Sequence, residues 1–150
     1  SMEGLFKGAK WVLTPKTTYS EATGYLLPSG TKELISLIEK LGATPIITTP
    51  EEHDKAAAMI SHMPMVLAQA LFLSVKDNSL ALDMASSGFR DMTRLALSNE
   101  EMACDMVSMN SDNIQNAILH LYKSVGDLTS GNYPETISKI KAERADMFNK

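Results

Sequence analysis

The residues best suited to chemistry form one run, Ser86-Ser-Gly-Phe-Arg-Asp-Met-Thr-Arg94. A small-residue turn leads into a helix start, and Arg90 and Arg94 stand four apart. Backbone donors at a helix N-terminus and a planar guanidinium fork can address the same anion, so the run is a candidate carboxylate or phosphate site. The same residues also read as an ordinary capped helix with two solvated arginines. A second run, Ser61-His-Met-Pro64, sets a proline inside a helical stretch, where it lacks a donor and clashes with the carbonyl of Ile60. Such kinks often serve sites, but this one also fits a buried helix bent around a neighbour with His62 satisfied in the core. His53 and His62 are nine residues apart, on roughly opposite sides of an unbroken helix, and with one other histidine and a lone Cys104 a metal site is not expected. The ten methionines read as adaptable core filler, and Cys104, between Met102 and Met106, as buried and inert. No two of the eight glycines are two residues apart, so the chain has no GxGxxG fingerprint, and it has no P-loop GK[ST] word.

The elements that must position these residues fall into two parts. Up to residue 30, Gly4, Gly8, Pro15, Gly24, Pro28 and Gly30 interrupt the chain, and Trp11–Thr14 is the one strand-like run in this loop-rich edge. Thr31 reads as an N-cap for a helix with Leu34, Ile35, Leu37, Ile38 and Leu41 at helical spacing and Gly42 as its stop; Ala43–Thr48 then reads as a strand. A strand, a helix and a strand cannot stand alone as a sheet and should dock on something else.

From Pro50 onward the pattern is helical. Pro50, Glu51, Glu52 and Asp54 open a helix running to about Val75, read as a buried helix rather than a membrane span because Ser61, His62, Pro64, Gln69 and Ser74 interrupt it. Nearly every face of it is apolar, more than a thin domain can cover, which points to a homodimer. A short apolar piece, Leu80–Met84, and a helical stretch, Phe89–Leu97, precede a long helix capped near Ser98 and Asn99 and reaching Leu128. Its stripe from Met102 through Ile114 and Ala117 to Val125 is expected to be core. A last helix from Asn132, with Ile137, Ile140, Ala145 and Met147 among charges, should lie on the surface.

The chain has 150 residues and a net charge of −4, from 14 basic and 18 acidic residues spread along it, so the electrostatic footprint of a nucleic-acid or anionic-membrane binder is missing. A single cysteine suits a reducing compartment, and a cytoplasmic location is expected. The fold class expected is mainly α: a helical bundle over 50–150 preceded by a small α/β remnant over 3–49 with about two short strands.

Read in order, Glu3-Gly-Leu-Phe-Lys-Gly-Ala-Lys-Trp-Val-Leu-Thr-Pro15, Leu41-Gly-Ala43, Pro50-Glu-Glu-His-Asp54, Ile60-Ser-His-Met-Pro64 and Ser87-Gly-Phe-Arg-Asp-Met-Thr-Arg94 resemble the prephenate and arogenate dehydrogenase family over most of the chain. The resemblance implies the end of a dinucleotide-binding domain followed by a helical dimerisation domain. It also implies an enzyme of tyrosine biosynthesis that oxidises a cyclohexadienol with NAD or NADP while carbon dioxide leaves. In that family the histidine of the PEEHD word lies at the substrate site and the arginine closing the GFxDxTR word grips a substrate carboxylate, which implies those roles for His53 and Arg94. Ser87 and Gly88 would line the pocket. The family's SHxPH word reads Ser61-His-Met-Pro-Met65, so Met65 stands where a substrate-side histidine is expected and cannot donate a hydrogen bond. The HPxxG word with the catalytic histidine and the GxGxxG loop are not in this sequence. No catalytic, cofactor-binding or metal residue is therefore assigned, and the chain alone is expected to be inactive, with prephenate or arogenate as ligand and a second copy as partner. The other reading is a non-catalytic helical dimerisation or interaction module.

Overall fold

The computed structural model describes residues 4–16, 18–20 and 24–148; Glu3, the first residue of the family-like words, lies outside them. Contacts divide the chain into two compact units at Ala57/Ala58, inside the helix that the sequence reading places wholly in its second domain.

The first unit is built on a strand, a helix and a strand. Strand β1 (Lys10–Leu13) pairs in parallel with β4 (Thr44–Ile47), with Lys10 opposite Thr44 and Leu13 opposite Ile47. Parallel neighbours need a crossover, and α1 (Thr31–Lys40) supplies it. The crossover also carries an antiparallel pair, β2 (Thr18–Ser20) and β3 (Gly24–Leu26), in the segment expected to be loop. The N-cap of α1 is Gly30 in the left-handed region, and Thr31, expected as the cap, is the first helical residue. At the other end Gly42 has φ +79; its N–H donates to the Glu39 carbonyl at 2.9 Å and that of Ala43 to Ile38 at 3.1 Å, a Schellman closure that only a residue tolerant of positive φ forms cheaply. Ile38 and Ala43 are buried, whereas Val12, Leu37, Ile46 and Ile47 remain exposed, as expected of a sheet fragment that needs a further layer. Helix α2 (Pro50–Ala57) closes this unit, with the Thr49 hydroxyl accepting from the Glu52 N–H at 3.2 Å.

The second unit is all helical. The chain continues from α2 through a π-helical segment, Ala58–His62, into α3 (Met63–Val75), so helical backbone runs unbroken over Pro50–Val75. The π turn answers the problem that Pro64 sets: one widened turn just before it changes which carbonyl faces the missing N–H. Short helices α4 (Ser79–Asp83) and α5 (Ser87–Met92) follow, then a 3-10 turn (Arg94–Leu97), α6 (Glu100–Met109), α7 (Ser111–Ser130) and α8 (Tyr133–Phe148). Asn99 caps α6, its side chain accepting from the Met102 N–H at 2.9 Å.

Ala58, Met65 and Ala68 are buried where the π segment and α3 pack on α7, which buries Ile114 and Ala117. Three expectations are corrected here. The long helix from Ser98 to Leu128 is two helices, because Asn110 leaves helical geometry at φ −129 and ψ 25. Its apolar stripe is not all core: only Ile114 and Ala117 are buried, both in the first two turns of α7, while Met109 at the end of α6 and Tyr122 and Val125 further along α7 stand exposed, because the small core reaches only the start of α7. The helix over Pro50–Val75 is long and apolar enough to span a bilayer, and within the chain only 17% of its most apolar window is buried. It is therefore not the buried helix expected, for the reason its composition suggests: this unit has too little mass to cover it.

Candidate functional site

In the second unit a groove of about 760 Å³ lies between α3, the start of the 3-10 turn and α7. Along α3 it is lined by Met63, Pro64, Leu67, Leu71 and Ser74, at helical spacings of three and four that place them on one face. Met92, Leu95 and Leu121 complete the apolar wall, and Asp91 and Arg94 bring charge to it. Such a groove, apolar with few convergent polar groups, suits a small ring-bearing ligand.

Arg94 is the decisive polar group. It opens the 3-10 turn just after α5, and the turn packs on α3, which brings it to the groove. Thr93 fixes the junction, its hydroxyl donating to the Phe89 carbonyl at 2.7 Å. Arg94 forms no hydrogen bond or ion pair among the described residues, so its guanidinium is available to an anion, whereas Arg90 is engaged by Asp91 at 3.6 Å. A guanidinium with free donors beside apolar walls is chemically matched to a carboxylate on a hydrophobic body.

The remaining candidates are placed less uniformly. Ser87 and Gly88 are the exposed first residues of α5, outside the groove lining, and a side chain built on Gly88 would meet open space. Met65 is 2% exposed and packs in the core of the chain. His53 belongs to the first unit, exposed on α2, with its Nδ1 3.0 Å from Asp54 Oδ1. A carboxylate only accepts, so in neutral His53 Nδ1 carries the proton and Nε2 is left as an acceptor. His62 is half-buried on the π segment and bonded through Nδ1 to Asn110. Cys104, expected to be buried, is exposed on α6, at an open concavity that it lines with Gln69, Ala96 and Val107, because α6 ends at the Asn110 break without burying that face.

The sequence reading missed Leu67, Leu71, Met92, Leu95 and Leu121 as groove residues, and Asn110 altogether. The signal for the leucines was present as the 64, 67, 71, 74 spacing, but that pattern is shared with core. Asn110-Ser-Asp112 carries N-cap chemistry, which the apolar stripe on either side masked.

A dinucleotide site needs a glycine-rich turn joining a strand to a helix N-terminus. Here β1 leaves through Pro15 toward the β2–β3 pair, and α1 is entered at the isolated Gly30, so the described residues do not form that cradle.

Residues 49–141 match the family described as prephenate dehydrogenase, dimerization domain. Prephenate dehydrogenase of Bacillus subtilis (strain 168) is 32% identical over 117 residues, covering 75% of this chain and 29% of that protein. The crystal structure of Synechocystis arogenate dehydrogenase superposes with a TM-score of 0.69 at 30% identity, over 96% of this chain and 53% of that one. That of prephenate dehydrogenase from A. aeolicus, in complex with hydroxyphenyl propionate and NAD+, gives 0.77 at 25% identity, over 96% and 52%. The chain thus spans 29% of the Bacillus relative and about half of the two solved relatives.

Proposed function

Because the chain belongs to the prephenate dehydrogenase family, whose dimerization domain covers most of it, we propose that it is the carboxy-terminal portion of a prephenate or arogenate dehydrogenase, supplying part of the substrate pocket and the dimer interface. The observation that carries this reading is the unpartnered Arg94 on an apolar groove. Prephenate and arogenate each join a carboxylate to a six-membered ring, and the guanidinium and the Leu67, Leu71 and Leu95 wall address those two features separately.

The chemistry assigned to the whole enzyme is NAD(P)-dependent oxidation with loss of carbon dioxide, and the described residues of this chain do not form a nucleotide cradle. Its own part is to bind and orient: Arg94 holds the carboxylate, and the apolar wall excludes water from the ring. His53 belongs to the first unit; its Nε2 is left as an acceptor, which accords with the substrate-side role that the family resemblance implies for it.

A second copy is the proposed cover for the apolar helix over Pro50–Val75, where Ile60 and Leu73 stand exposed, and for Leu119, Tyr122 and Val125 on α7. A cytoplasmic location accords with the single cysteine.

The test is a titration of the chain with hydroxyphenyl propionate. Saturable binding that Arg94→Ala weakens at least tenfold supports the pocket, on the about 1.5–3 kcal/mol of a hydrogen bond to a charged group. Absence of binding in both proteins supports a pure dimerisation module instead.

A further inference from the structure

Two irregularities in otherwise regular helices meet at one contact. The π segment carries His62, the α6–α7 break carries Asn110, and Asn110 Nδ2 lies 3.2 Å from His62 Nδ1 across 48 residues of sequence. Asn110 is 8% exposed, so its amide orientation is set by protein partners. Asn113, three residues on, donates through Nδ2 to Asn110 Oδ1 at 2.8 Å. That bond makes Oδ1 the occupied acceptor and turns the amide so that its N–H points at the imidazole. A donor facing Nδ1 requires a lone pair there, so neutral His62 carries its proton on Nε2.

Nε2 makes no hydrogen bond among the described residues and is not sealed away from solvent. We infer that Asn113 and Asn110 are positioning residues that lock His62 as the neutral Nε2–H tautomer, presenting it as a hydrogen-bond donor to an acceptor oxygen rather than as a proton acceptor. His53 has the opposite assignment, since Asp54 holds its Nδ1–H and leaves Nε2 to accept. The two histidines of this long helix are thereby given complementary roles by their neighbours. This inference concerns the chain's own network and stands whether or not Arg94 binds a carboxylate.

The experiment is a long-range nitrogen–proton correlation spectrum of the 150-residue chain labelled at histidine, at about pH 8, above the ordinary imidazole range. His53→Gln and His120→Gln variants assign the signals. The expected result is His62 with Nε2 protonated and Nδ1 bare in at least nine molecules of ten. Asn110→Asp replaces the donor by an acceptor and should move the proton to Nδ1. Asn113→Ala frees the Asn110 amide to turn and should give a mixture. An Nδ1–H signal in the unaltered chain, which the relay run in the opposite sense would produce, overturns the inference. So do two tautomers in equal amounts, or a spectrum that neither variant changes. The reading on the unaltered chain decides the matter even where a variant fails to fold.

Discussion

Truncating Ile60 tests the dimer with a magnitude that the structure fixes. Ile60 is 80% exposed within the chain, the most exposed large apolar side chain on the Pro50–Val75 helix. Ile60→Ala deletes three carbons, each about 0.8 kcal/mol when removed from water. In a monomer that loss is not realised, and an exposed truncation changes stability by less than about 0.5 kcal/mol. If a second copy covers Ile60, about four-fifths of the roughly 2.4 kcal/mol is gained only on association, near 2 kcal/mol per protomer. A two-fold interface counts it twice, so the dimer should weaken by about 4 kcal/mol, close to a thousandfold in Kd. Sedimentation equilibrium over a wide concentration range reads that shift, and thermal melting at a concentration below dissociation supplies the monomer control. A dimer whose Kd changes less than about fivefold, with the monomer intact, would refute the placement of this helix face in the interface.

Three further outcomes follow from local geometry. Gly42→Ala forces an L side chain into φ +79, where its nearest neighbour, Lys7 Cα at 3.5 Å, is an ordinary contact, so backbone strain of about 1–2 kcal/mol is the whole expected loss; an unchanged melting temperature would contradict it. Lys55 donates to Glu52 at 2.9 Å, and that hydrogen bond, with the carboxylate charge, raises its pKa above the ordinary lysine value. A raised pKa favours the folded state below the unfolded lysine range, and that contribution fades as the pH climbs through the folded value. Glu52→Gln should therefore lower the Lys55 titration midpoint seen by NMR, with little change in stability at pH 7 because the pair is exposed. The 150-residue chain, which contains neither an HPxxG word nor a GxGxxG loop, should give no saturable NAD-dependent oxidation of prephenate or arogenate, and measurable turnover would overturn the division of labour proposed above.

Much of this architecture was legible because local chemistry and tertiary role agree. Gly42 after Leu41 ends α1 as its position suggests, Thr44–Ile47 forms a strand from its β-branched run, and Pro50 with Glu51 and Glu52 opens a helix. Legibility failed where one pattern serves two purposes. The stripe from Met102 to Val125 has the period of a single helix, and only the capping character of Asn110-Ser-Asp112 betrays the break between α6 and α7. Pro64 announced a perturbation but not its form, since a kink and a π turn both relieve the same clash. At the site, the sequence pairs Arg94 with a helix N-terminus, but Arg94 follows the C-terminal end of the six-residue α5, and what distinguishes it is instead its place on the groove. Leu67, Leu71 and Leu121 could not be told from core, because a ligand-facing leucine and a core leucine have the same spacing.

The most direct test of the carboxylate site asks where a ligand lies. With methionine methyls labelled, the chain carries reporters inside the groove at Met63 and Met92, in the core at Met65, and away from the groove at Met59, Met109 and Met147. Hydroxyphenyl propionate should show nuclear Overhauser contacts from its ring protons to Met63 and Met92 and none to Met109 or Met147, and Arg94→Ala should abolish them. Ring contacts at the distant methionines, or contacts at Met63 and Met92 that survive Arg94→Ala unchanged, would contradict Arg94 as the residue that holds the carboxylate.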